Sequence, residues 1–230
     1  MALQSSGAIS LSEVQSTHGG SNPIGMSEYY LNGDYVDSTK TETTAAASSS
    51  LTSTTFNSSG AGYFYAYSPT INPGSVAPPS YALDYNPNGC LFYVAGHRDN
   101  GATGNWAATF TVDTTGVYGV KLTTHNNGGA TLTYTYTITG SSSGTLLSES
   151  ISYYAASGTN KHTDRTFSAV ANETLTCTGS WNSSGHSVCA MYVGGYTSPH
   201  NNKTVQITTS INSDVPSSST ISMSDFHGTE

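Results

Sequence analysis

The chain has 230 residues, only 9% of them Asp, Glu, Lys or Arg, and a formal net charge of −8. Six basic residues are too few to line a phosphate-tracking groove, which excludes nucleic acid as a partner. No stretch reaches the ~20 apolar residues of a bilayer span, and MALQSSGAIS lacks the basic segment and apolar core of a signal peptide, so a chain without membrane insertion, made in the cytoplasm, is expected.

In chain order, four zones separate. Residues 1–36 carry short apolar clusters among polar residues and read as an N-terminal docking segment. Residues 37–55, DSTKTETTAAASSSLTSTT, hold one large aliphatic side chain, Leu51. Such a stretch buries too little to offset its ordering entropy, so a Ser/Thr-rich linker is expected.

From Phe56 to Ile211 the pattern becomes short runs of alternating apolar and polar residues, broken by Gly, Asn, Pro and Ser. In ATLTYTYTI, Leu132, Tyr134, Tyr136 and Ile138 share one face and Thr131, Thr133, Thr135 and Thr137 the other. That period of two predicts a strand with one buried and one wet face. Similar runs are GYFYAY, SYALDY, CLFYVA, AATFTV, VYGVKLT, LLSESISYY, RTFSAV, ETLTCTGS, SVCAMYV and KTVQITTSI. Strands at this spacing predict an all-β, antiparallel sandwich of jelly-roll type over residues 56–211, flanked by extended docking segments at both ends. Residues 212–230 form the C-terminal tail.

A short pattern occurs three times: GAISLSEV at 7–14, NPIGMSEYY at 22–30 and STISMSDF at 219–226. Ile9, Leu11, Ser12 and Glu13 align with Ile24, Met26, Ser27 and Glu28, and with Ile221, Met223, Ser224 and Asp225. Two copies run on into glycine, as HGG and HG. Each reads as an apolar clip leading into a short capped turn, with its acid at the positive helix end. A clip this short cannot fold alone, and docking on something else is expected.

The segment GAISLSEVQSTHGGSNPIGMSEYYLNGDYV, with the last dozen residues, resembles a cassette found at the ends and junctions of structural proteins of tailed bacteriophages, particularly marine ones. The resemblance implies a virion protein, tail-fibre or adaptor-like or a capsid-associated decoration, with other virion proteins as partners. It carries no catalytic residues. TFTVDTTGVYGVKLTTH, and later FSAVANETLTCTGSWNSSGHSVCAMYVGGY, are similar to complement-like and tumour-necrosis-factor-like jelly rolls. That similarity implies a homotrimer; the few charges, with alternating faces such as Leu132, Tyr134, Tyr136 and Ile138, put its contacts on Tyr-rich strands.

Chemistry is thinly supplied. Asp84, Asp99, Asp113, Glu149, Asp164 and Glu173 are the sandwich acids, and none sits in an aromatic-lined acid motif, so no catalytic residue and no enzyme activity are expected. His97, His125, His162 and His186 are scattered without ligand spacing and read as loop residues; no metal site or cofactor is expected. Cys177 and Cys189 fall in consecutive predicted strands, which leaves open whether they are bonded; small strand residues are the plainer reading. Aromatics are the conspicuous resource, with 16 Tyr and 2 Trp. Tyr153, Tyr154 and Trp181, the last in WNSSGH, make a candidate patch for stacking on host surface glycans, the alternative function.

Overall fold

Alternation produces the strands it predicts. In the computed structural model, which describes residues 2–22, 25–45, 49–58, 62–67, 90–98, 103–126, 129–154, 158–182, 187–194, 204–218 and 220–230, the ATLTYTYTI run becomes a strand whose Leu132, Tyr134, Tyr136 and Ile138 are at most 2% exposed. The intervening threonines face outward. The described residues are all-β apart from one α-helix, α1 (Leu11–His18), and short 3-10 turns. The strands are β1 (Thr39–Ala45), β2 (Ser49–Ser58), β3 (Gly62–Tyr67), β4 (Phe92–Arg98), β5 (Gly104–Val112), β6 (Gly116–Asn126), β7 (Thr131–Gly140), β8 (Gly144–Tyr154), β9 (Thr159–Ala169), β10 (Thr174–Trp181), β11 (Ser187–Val193) and β12 (Thr204–Ser210).

They form two antiparallel sheets, a jelly-roll-like sandwich. One runs β1-β12-β6-β11-β4-β3, with β9 on the other edge of β6; the second runs β2-β5-β10-β7-β8. Between them lies the apolar core. Phe92 stacks on Phe110 with centroids 3.6 Å apart, and the buried aromatics place their polar tips on backbone carbonyls. Tyr136 Oη donates to Thr123 O at 2.8 Å, Tyr134 Oη donates to His125 O, and Trp106 Nε1 donates to Cys189 O at 2.9 Å. These bonds tie one sheet to the other and leave the aromatic area free to contribute to burial.

The predicted linker instead supplies two strands, one to each sheet. β1 and β2 take up most of 37–55, and β2 pairs along β5 from Ser49↔Val112 to Ser58↔Gly104, with a bulge between Leu51 and Ser53. Threonine suits a pleated surface, and an existing strand satisfies the backbone, so little side-chain burial is needed to order such a segment. SYALDY lies outside the described residues. Two compact units result: residues 43–207, the sandwich, and residues 1–42 together with 208–230.

Candidate functional site

The three sequence repeats build the second unit, each entering a helical turn, α in the first copy and 3-10 in the other two, from an extended residue. Ser10, extended at φ −98° and ψ 155°, caps α1. Glu13 N donates to Ser10 Oγ at 3.3 Å, and Ser10 N donates back to Glu13 Oε2 at 2.7 Å, a reciprocal capping box. In the last repeat Ser222 is likewise extended, and its N donates to Asp225 Oδ2 at 2.7 Å ahead of the 3-10 turn Met223–Phe226. Gly25 occupies the same position before the turn Met26–Tyr29, with no side chain to offer. Glu13 and Asp225 are therefore turned back on their own caps. Hydrogen bonds from Ser10 hold the Glu13 carboxyl below the usual carboxylate range.

The residue after each acid points into a common cluster: Val14, Tyr29 and Phe226 are fully buried together with Val36 and Val215. Tyr29 and Phe226 meet edge to face, centroids 6.2 Å apart. Ile9, Leu11, Met26, Ile221 and Met223 pack around this centre and remain half-buried. Ile24 lies outside the described residues. The glycines after the repeats carry positive φ, +95° at Gly19, +110° at Gly20 and +72° at Gly228, where an L side chain is strained. They let the chain turn back so that Leu3 N donates to Thr229 O at 2.8 Å and Gly228 N donates to Gln4 O at 3.0 Å.

The expectation that each clip must find a foreign surface is thus corrected. The clips find one another, because three copies of one apolar pattern are mutually complementary where a single copy has nothing to bury against. Ser12, Ser27 and Ser224 stay exposed on the unit's surface.

In the sandwich, the expected glycan patch does not assemble. Trp181 is 3% exposed and lies in the intersheet core, so neither face of its ring is offered to a sugar. Tyr153 and Tyr154 are neighbours on β8 and point to opposite sides. Tyr153 packs on the core with its hydroxyl on Thr159 Oγ1, while Tyr154 is 58% exposed. Tyr134 and Tyr136, expected in the core or at a subunit contact, are interior. Cys90, Cys177 and Cys189 are buried and form no disulfide. Burial pushes the Cys189 thiol up to about 12, and that of Cys177 higher.

The acids within the described residues serve structural partners. Asp113 accepts from Thr114 Oγ1 at 3.0 Å, Glu149 pairs with Arg165, and Asp164 Oδ1 pairs with Lys121 Nζ at 2.9 Å. Glu173 Oε1 takes hydrogen bonds from Ser142 Oγ at 2.9 Å and Ser143 N at 2.8 Å, clamping the β7–β8 turn. Burial raises its pKa, and these hydrogen bonds outweigh that, holding the carboxyl down at about 2. Asp84, Asp99 and His186 lie outside the described residues.

Sequence reasoning missed one constellation, because it depends on register. His97, His125 and His162 are strand residues, not loop residues. On the outward face of the first sheet, register aligns Asp164, Lys121, Tyr192 and Tyr93 in one row, and His162, Thr123, Ala190 and Ala95 in the next. His125 Nδ1 donates to Asn160 Oδ1 at 2.7 Å, Thr123 Oγ1 meets His162 Nδ1 at 2.9 Å, and the Tyr93 and Tyr192 rings lie 4.6 Å apart. Lys121 is only 4% exposed and His125 6%. The polar groups border a buried apolar cluster of Cys90, Tyr93, Ala95, Val188, Ala190 and Tyr192, and among the described residues no group of His, Cys, Asp and Glu is arranged to hold a metal ion.

No protein-family model and no curated protein sequence matches the chain. Among solved structures, the chain is similar to TmCBM61 in complex with beta-1,4-galactotriose, at 15% identity and TM-score 0.34, over 60% of this chain and 86% of that one. A family 35 carbohydrate-binding module from Clostridium thermocellum aligns at 13% identity and TM-score 0.31, over 62% and 98%. The enzymatically active domain of bacteriophage CBA120 tailspike protein 4 aligns at 10% identity and TM-score 0.31, over 68% of this chain and 19% of that one. At these scores the likeness assigns neither ligand nor activity.

Proposed function

We propose that the chain is a non-enzymatic structural protein of a tailed-bacteriophage particle, joined to other virion proteins through its terminal clip unit. One observation supports this reading above the others. Three copies of a cassette-like pattern, drawn from opposite ends of the chain, each pass from an extended residue into a helical turn and share one small apolar centre. A centre so small leaves Ile9, Leu11, Met26, Ile221 and Met223 half-covered, and such an apolar rim is suited to burial against a neighbouring protein. The sandwich acids among the described residues are engaged in turn hydrogen bonds and ion pairs, which accords with a structural role.

The particle-bound form is a homo-oligomer, with three copies carried over from the jelly-roll resemblance. Neither β2 nor β8, the outer strands of the second sheet, contains the Lys or Pro that commonly blunts an edge.

Gold labelling of the protein in purified particles, viewed by electron microscopy, tests the location. Label at one fixed position on the head or tail is the expected result. Particles that form normally and contain none of the protein overturn the reading. Sedimentation of the purified chain at low and high salt tests the oligomer, and a monomer at micromolar concentration in both removes it.

A further inference from the structure

The outward side of the five-stranded sheet carries hydroxyls in two dimensions and no charge. One row across it, fixed by register, is Ser150, Thr135, Ser180 and Asn105; the next is Ser148, Thr137, Thr178 and Ala107. The rows continue to either side with Thr133 opposite Ser152, and with Thr139, Thr176 and Thr109. Neighbouring strands stand about 4.8 Å apart and same-face residues along a strand about 6.8 Å apart, so the hydroxyls form a regular net. Thr135, Thr139, Thr176, Ser148, Ser150 and Ser152 are exposed. Among the described residues on this side of β5, β7, β8 and β10, none is Asp, Glu, Lys or Arg.

The net is also ordered before anything binds. Threonine is β-branched and stiff at χ1. Thr135 bonds Ser180 and Thr137 bonds Thr178 through their hydroxyls across the β7–β10 pair. A hydroxyl that donates to a neighbour still has lone pairs to accept with, and one that accepts still has its proton. The face therefore offers both halves of a hydrogen bond at fixed spacing, and binding there desolvates no ion.

A ligand matching it must be neutral, rich in groups that both donate and accept, and extended enough to touch several rows. Those are the properties of a neutral polysaccharide chain. Tyr154, 58% exposed at the end of β8 on this same side, adds an aromatic face on which a sugar ring can stack. We infer that this hydroxyl face is a binding surface for neutral polysaccharide, made of the β7, β8 and β10 hydroxyls and Tyr154 and not of Tyr153 or Trp181. Each contact exchanges a water for a sugar hydroxyl and is weak alone, so binding comes from many contacts along one polymer. The inference goes beyond the structural role proposed above and stands whether the chain sits on head, tail or neither.

Affinity electrophoresis of the full chain in native gels containing dextran, mannan or arabinogalactan, with alginate as the anionic comparison, reads it directly. Retardation by at least one neutral polymer, unchanged by raised salt, is expected. The double variant Thr135→Lys with Thr176→Lys, and separately Tyr154→Ala, each weaken it by about ten-fold or more, a difference of about 1.4 kcal/mol. Thr135→Ser retains it. Circular dichroism and melting establish that the variants are folded; exposed positions are chosen so that they remain so. The inference is overturned by equal retardation of folded lysine variants and wild type, by retardation on alginate alone, or by none on any neutral polymer, the last meaning that the net serves hydration only.

Discussion

The six-membered ring of Trp181 lies directly over Gly104, so closely that a Cβ added at Gly104 would stand 2.3 Å from Trp181 Cζ2. Gly96, on β4, closes the ring in from another strand, its added Cβ 2.9 Å from Trp181 Cη2. Two glycines on different sheets thus make the slot that draws this tryptophan inside. Gly104→Ala is expected to cost about 1–3 kcal/mol by overpacking, and Trp181→Ala about 3–5 kcal/mol by leaving a cavity. Urea melts of the two variants measure both. Unchanged midpoints would place the ring elsewhere and return it to the surface patch.

The caps of the first and last clips carry a smaller, separable contribution. Ser10→Ala and Ser222→Ala each remove a side chain bonded to its own acid, and each is expected to destabilise the clip unit by about 1 kcal/mol. Gly25 has no side chain to remove, so Gly25→Ser tests the converse: added capping should strengthen the middle clip. Hydrogen exchange of the amides in residues 10–18, 25–30 and 222–228 resolves these effects from those in the sandwich.

Glu173 gives the sandwich a defined acid limit. Its pKa is held at about 2 in the folded chain against 4.5 for an unperturbed side chain. A depressed folded value means that the stabilisation is fully present above about 4.5 and is lost as pH falls through the window down to about 2. Glu173→Gln removes that dependence, because the amide keeps the shape and loses the charge. The variant should be less stable than wild type at neutral pH, by roughly 1.5–3 kcal/mol for charge-assisted bonds to Ser142, Ser143 and Val170, with the gap narrowing towards pH 2. A constant gap across that range would show that the clamp is not ionic.

The legible parts of this molecule were those written in short-range pattern. Alternation in residues 131–138 identified both a core face and a wet face, and three copies of one hexad were visible before any geometry. What escaped the sequence depends on partners far away in the chain. Residues 39–45 and 49–58 look unfoldable alone because their order comes from β12 and β5. Trp181 looks like a loop aromatic because its slot is made by Gly96 and Gly104. His125, His162 and Asp164 look scattered because only the β6–β9 register brings them level with Asn160, Thr123 and Lys121. The hydroxyl net was half visible in Thr133, Thr135 and Thr137; its second dimension needed the pairing of β7 with β8 and β10.

The shared centre of the clips yields the most decisive prediction about the terminal unit. Phe226 is fully buried against Tyr29 and Val14, two residues supplied by the other end of the sequence. Deleting residues 1–36 alone therefore strips the partners from Phe226 and Val215 and should yield a sticky product, whereas deleting 1–38 together with 212–230 removes the whole cluster and should leave a soluble sandwich. Phe226→Ala, with both ends intact, is expected to cost about 3–5 kcal/mol within the unit. If the unit is the docking element, this variant should be depleted from purified particles while its sandwich keeps the wild-type melting temperature. Incorporation at wild-type levels, with the clip amides shown by hydrogen exchange to be unprotected, would mean that the particle is gripped through the sandwich and that the clips serve only to tie the two chain ends together.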